Sequence, residues 1–131
     1  MILVDTSVWI DGFHGGKSKE ILSHLIDLRE ICINDLILAE LLPSIRIRKE
    51  TELERLLNLL PKSRMQIDWS GIVDIQTENL KRGINKVGIP DIMIAQNAIQ
   101  NEVKLYSLDR HFELMAKHLP LNLYPQTSSN V

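Results

Sequence analysis

Cysteine is nearly missing: Cys32 stands alone among 131 residues. That excludes a disulfide framework and a cysteine-built zinc site, and it points to a reducing compartment. Aromatic residues are scarce at 5%, so a core has to be assembled from Ile, Leu and Val. No apolar run approaches the roughly 20 residues that cross a bilayer, and Met1-Ile2-Leu3-Val4 meets Asp5 far too early for a secretory leader. The expectation is a cytoplasmic chain with no membrane association. There is no basic excess either: 15 Lys and Arg face 17 Asp and Glu, a formal charge of -2. Binding to nucleic acid would therefore need a local patch rather than bulk charge. Repeats, low-complexity stretches and internal linkers are absent. What is present is 44% hydrophobic and 24% charged residues over one domain's length of chain, ordinary for a folded domain. We expect a single domain over 1–125 and a frayed polar tail over 126–131.

Short apolar runs alternate with longer stretches of helical period. The runs predict strands at 2–4, 31–33, 65–67, 104–108 and 121–124, and the periodic stretches predict helices at 6–13, 17–29, 35–42, 49–60, 71–87, 91–101 and 110–118. Pro43 is expected to halt the third helix, and Gly88 to end the fifth. Alternation of this kind implies an α/β fold, three layers α/β/α with a mainly parallel sheet. Ligands of such sheets gather just beyond the carboxyl ends of the strands.

Four carboxylates stand out from the solvated charges. Asp5 and Asp109 each close a predicted strand, Glu40 lies within Leu36-Ile-Leu-Ala-Glu-Leu-Leu42, and Asp91 lies within Ile89-Pro-Asp-Ile-Met-Ile-Ala95. A carboxylate withdrawn from water is costly unless it is paired or bound to a metal. Each also has a plainer reading: Asp5, Asp91 and Asp109 as residues at helix starts, and Glu40 as half of a buried salt bridge. One shared cause covers all four, a cluster at the sheet's carboxyl edge that needs a cation. Oxygen donors without His or Cys in these windows favour Mg²⁺ or Mn²⁺ over zinc. Carboxylate-held ions of this kind typically serve phosphoryl transfer, and no phosphate-cradling glycine loop is present. A phosphodiester substrate fits better than a nucleoside triphosphate.

Four ordered motifs now carry a resemblance: Val4-Asp5-Thr6-Ser7, Leu38-Ala39-Glu40-Leu41, Ile89-Pro90-Asp91-Ile92-Met93-Ile94-Ala95 and Ser107-Leu108-Asp109-Arg110-His111-Phe112. Together they span nearly the whole chain and resemble PIN-domain ribonucleases, specifically the VapC type of toxin from toxin–antitoxin pairs. The resemblance implies that Asp5, Glu40 and Asp91 are metal ligands and catalytic residues, with Asp109 completing the site directly or through water. It implies supporting roles for Ser7 or Thr6, hydrogen-bonded to an acidic ligand or the scissile phosphate, and for Ser107. It further implies Mg²⁺- or Mn²⁺-dependent endonucleolytic cleavage of RNA by a metal-activated water, a homodimer, and a cognate VapB-type antitoxin. The last motif departs at His111, where many members carry a further Asp. That weakens a strongly held second metal, and His111 is read as an exposed side chain of no special role, with phosphate contact the alternative.

Trp9 and Phe13, four apart on the first helix, are read as core, and Arg46, Arg48, Lys49 and Arg55 as a solvated face balanced by nearby glutamates or as an RNA-backbone patch. The rival to an enzyme is a catalytically inactive PIN-like module that binds RNA or a protein. Receiver-type and dehalogenase-type readings lack the acids they require beside Asp5, where Thr6 and Ser7 stand.

Overall fold

Leu3 and Val4 are completely buried and Ile2 nearly so, and these three residues form strand β1 (Ile2–Val4) at the centre of a three-stranded sheet. The structure, a computed structural model, describes residues 1–125; the expected tail 126–131 lies outside the described residues. A strand covered on both faces has no polar side to alternate with, which is why it reads as an unbroken apolar run. It pairs in parallel with β2 (Ile31–Cys32) on one side and β3 (Lys104–Tyr106) on the other, with Ile2 opposite Ile31 and Lys104 and Val4 opposite Tyr106. Parallel pairing brings the ends of β1 and β3 to the same edge. Ile33 with Lys62, and Leu105 with Leu123, add single parallel bridges at the margins.

The helices are α1 (Thr6–Phe13), α2 (Ser18–Asp27), α3 (Asp35–Ile47), α4 (Thr51–Leu59), α5 (Trp69–Lys81), α6 (Ile89–Gln100) and α7 (Arg110–Met115). They pack in consecutive pairs, α1 on α2, α3 on α4 and α5 on α6. Trp9 is buried and its indole N–H donates to the Val4 carbonyl at 3.1 Å, which fastens α1 to the end of β1. Among the described residues no helix is long and apolar enough to cross a membrane.

Three expectations need correction. Pro43 does not stop α3, which runs on to Ile47. Pro43 and Ala39 both lie on the exposed side, where water can satisfy the carbonyl that proline leaves without a donor. Helix α5 starts two residues earlier and ends six earlier than expected. Asp68 caps it by accepting from the Gly71 N–H at 3.1 Å, and Gly83 with φ 74° turns the chain out of it. The strands expected at 65–67 and 121–124 do not form; the second contributes only the bridge at Leu123.

A buried amide network sets α6 against the sheet. Asn34 caps α3 by accepting from Ile37 N–H at 2.8 Å, and its Nδ2 donates to Asn97 Oδ1 at 3.0 Å. Asn97 Nδ2 donates in turn to the Arg64 carbonyl at 3.0 Å. Both asparagines are essentially inaccessible to solvent, so their hydrogen bonds are all protein-made. They fix the helix that carries Asp91.

Candidate metal centre at the carboxyl edge of the sheet

Asp5 follows β1 directly and is only 6% exposed. It sits at the N-cap position of α1 without making a side-chain cap bond. Its Oδ2 instead accepts from the hydroxyls of Ser7 at 2.8 Å and Ser107 at 2.7 Å. Those hydroxyls are themselves held, since Ser7 Oγ accepts from Leu108 N–H at 3.1 Å and Ser107 Oγ from Asp109 N–H at 3.0 Å. The two strand ends are thus stitched together through one carboxylate oxygen. Next to it, Thr6 donates its hydroxyl to Glu40 Oε1 at 2.7 Å, tying the start of α1 to α3.

Asp109 caps α7: its Oδ1 accepts from His111 N–H at 2.9 Å. The His111 ring stands beside Asp109 and Asp91. Its Nδ1 lies 3.2 Å from Asp109 Oδ1 and 3.8 Å from Asp91 Oδ2. Asp91 enters from the first turn of α6, just after Pro90. One donor atom from each of Asp91, Asp109 and His111 lies within 4.8 Å of the other two.

The electrostatics extend this group to all four acids. Asp91 is pushed up to about 6, first by its own partial burial, then by the charges of Asp109 and Asp5, with His111 opposing and Glu40 adding a smaller push. Carboxylates from three other stretches of chain therefore act on Asp91. Asp5 and Glu40 lie outside the group of three donors within 4.8 Å and join it through their charges on Asp91.

Three expectations about these residues are corrected. Glu40 is not in the interior. Ile37, Leu38, Leu41 and Ile45 form the buried face of α3, and Glu40 lies on the exposed one, bonded to Thr6 rather than to a buried arginine. Asp91 and Asp109 are half-buried, so Asp5 alone of the four is fully withdrawn from water. His111 is no exposed bystander: its ring stands beside two of the acids. The signal that could have placed it is the helix-capping position of Asp109, which commits the residue two places on to the same turn. Among the basic residues, Arg46 pairs with Glu54 at 3.0 Å and Arg48 with Glu50 at 3.8 Å, a balanced surface. Trp9 and Phe13 pack with ring centroids 6.1 Å apart.

A cleft of about 650 Å³ is lined by Ser107, Leu108 and Asp109, with Asp11, Glu113 and Lys17 also in its walls. Three carboxylates against one ammonium make it acidic.

The family model of the PIN domain matches residues 2–118. The chain belongs to the PIN domain family. Solved structures with the same fold include FitAcB from Neisseria gonorrhoeae, at TM-score 0.67 and 17% identity over 94% of this chain and 96% of that one. They also include VapBC2 from Rickettsia felis bound to a DNA fragment from their promoter, at TM-score 0.68 and 22% identity over 94% and 97% of the two chains. A search of curated proteins finds no match. PIN domains are generally nucleases and use divalent metal ions. The residues here fit such an ion. Carboxylate oxygens crowd until they repel, and the buried His111 Nδ1 beside them has no hydrogen-bond partner among the described residues. A cation among these donors would relieve both conditions.

Proposed function

We propose that this PIN domain is a Mg²⁺- or Mn²⁺-dependent endoribonuclease of the VapC toxin type, which hydrolyses RNA phosphodiester bonds. The observation that carries the reading is the grouping of Asp91, Asp109 and His111 donor atoms within 4.8 Å at the sheet's carboxyl edge, where burial first, and then the charges of Asp109, Asp5 and Glu40, push Asp91 up to about 6. Acids that repel one another at neutral pH are stable company only around a positive ion. Asp5, Glu40, Asp91 and Asp109 are assigned as the metal-holding and catalytic set, with Ser7, Thr6 and Ser107 in support. A bound divalent ion would supply an acidified water for in-line attack and charge for the leaving oxygen. The protein's share is positioning. The Ser7 and Ser107 hydroxyls hold Asp5 in one orientation, and Thr6 does the same for Glu40. Asp91 is ionised above about pH 6 and so available as a ligand at neutral pH.

Partners follow from the same reading. An acidic cleft adjoining Asp109 suits a basic segment of a VapB-type antitoxin. Trp69, Val73 and Leu80 on α5 are each about 60% exposed, an apolar face suited to a second copy of the chain. Among the described residues no helix is long and apolar enough to cross a membrane; the place of work in this reading is the cytoplasm.

The test is cleavage of single-stranded RNA by the purified protein with Mn²⁺. Cutting that EDTA abolishes, and that Asp5→Asn removes while the circular dichroism spectrum is retained, supports the proposal. Retained RNA binding with no cutting at saturating Mn²⁺ would favour an inactive binding module instead.

A further inference from the structure

His111 is placed by a bond that its sequence position makes almost unavoidable. Asp109 caps α7 through the His111 backbone N–H at 2.9 Å, so the two side chains rise from one turn. The ring then brings Nδ1 to 3.2 Å from Asp109 Oδ1 and 3.8 Å from Asp91 Oδ2. Neither approach is a hydrogen bond, and Nδ1 is buried without a partner among the described residues. The ring as a whole is 31% exposed; a histidine that binds a metal does so through one ring nitrogen while the other carries the proton.

Nδ1 has the spacing of a metal ligand. Around a six-coordinate ion with bonds of about 2.1 Å, neighbouring donors stand about 3 Å apart and opposite donors about 4.2 Å apart. Both distances from Nδ1 to the carboxylate oxygens fall inside that interval. All three donor atoms lie close enough together to share one ion.

We propose that His111 Nδ1 is a direct ligand of the divalent ion shared with Asp91 and Asp109, and that this nitrogen makes the centre favour Mn²⁺ over Mg²⁺. The inference rests on the metal-dependent reading above and adds a ligand and a preference that the four acids do not supply. Mg²⁺ favours oxygen donors and keeps its waters, whereas imidazole nitrogen suits first-row transition ions. An aspartate at this position would give an all-oxygen site that discriminates less.

The experiment reads the nitrogen directly. Electron spin-echo envelope modulation of the Mn²⁺-loaded protein should show coupling to a directly bound ¹⁴N, and His111→Asp and His111→Gln should each lose it. Calorimetric titration should find Mn²⁺ bound more tightly than Mg²⁺ by the parent, with the ratio narrowing about tenfold in His111→Asp. Two variants of different charge guard against a folding artefact, and circular dichroism checks each. Bound Mn²⁺ without ¹⁴N coupling, or an unchanged ratio in His111→Asp, overturns the inference. If RNA is still cut in a metal-dependent way, that failure leaves the nuclease reading intact. Failure of the parent to bind any divalent ion overturns both.

Discussion

Replacing Asp91 with Asn should make the metal-free protein more stable and useless as a metal site at the same time. Folding raises the Asp91 carboxyl from 3.8 to about 6, a cost of about 3 kcal/mol from desolvation first and repulsion second once the group is ionised. The folded chain binds the proton more tightly than the unfolded one, so this cost is absent below about pH 4. It grows between there and about pH 6, and is fully present above. The Asp91→Asn variant would escape it but would lose a negative charge in the first turn of α6, worth about 0.3–1 kcal/mol. The net gain at pH 7 is therefore about 2 kcal/mol, or about 5–10 °C in Tm for a chain of this size. Scanning calorimetry in EDTA across pH 4 to 8 measures it. The advantage of Asp91→Asn should vanish at the acid end, and added Mn²⁺ should stabilise the parent alone. A variant less stable than the parent at pH 7, or a difference that ignores pH, would refute the electrostatic account of the cluster.

The same shift sets the pH dependence of metal binding: because the ion takes ionised Asp91, apparent Mn²⁺ affinity should rise about tenfold per unit up to about pH 6 and then level off. Equal affinities at pH 5 and pH 7 by titration calorimetry would contradict this. Asn34→Ala removes the α3 cap and orphans the buried Asn97 carbonyl oxygen, which should cost about 2–4 kcal/mol in urea unfolding; a loss under about 1 kcal/mol would show that the amide network does not hold α6. Trp69→Glu should convert a dimer to a monomer in sedimentation velocity, given the exposed apolar face of α5. A dimer that survives the charge places the contact elsewhere.

The parts of the fold most legible in the sequence are those where a single physical cause acts. Ile2-Leu3-Val4 is apolar because both faces are covered, and Asp5 is conspicuous because it ends that run. Glu40 misled because its neighbours in sequence are apolar while its neighbours in space are not. The buried set Ile37, Leu38, Leu41 and Ile45 has helical period, and counting that period would have put Glu40 on the outer face. Pro43 misled in a related way, since a proline on a solvated helix face costs less than one facing the core. Met65 to Ile67 has strand composition, but the Gln66 carbonyl is taken by a side chain of α6, Gln100 Nε2 donating to it at 2.8 Å, as the Arg64 carbonyl is by Asn97. Tertiary amides replaced a ladder there, and no local pattern announces that. His111 was invisible to composition because its place depends on a capping bond to Asp109.

The central claim, that four dispersed acids meet around one ion, is tested most directly by anomalous diffraction from crystals soaked in Mn²⁺ at about pH 7.5, where Asp91 is ionised. The account predicts a manganese peak within bonding distance of Asp91 and Asp109, beside Asp5 and facing Glu40. An ordered site with no peak, its carboxylates satisfied by water and backbone alone, would contradict it.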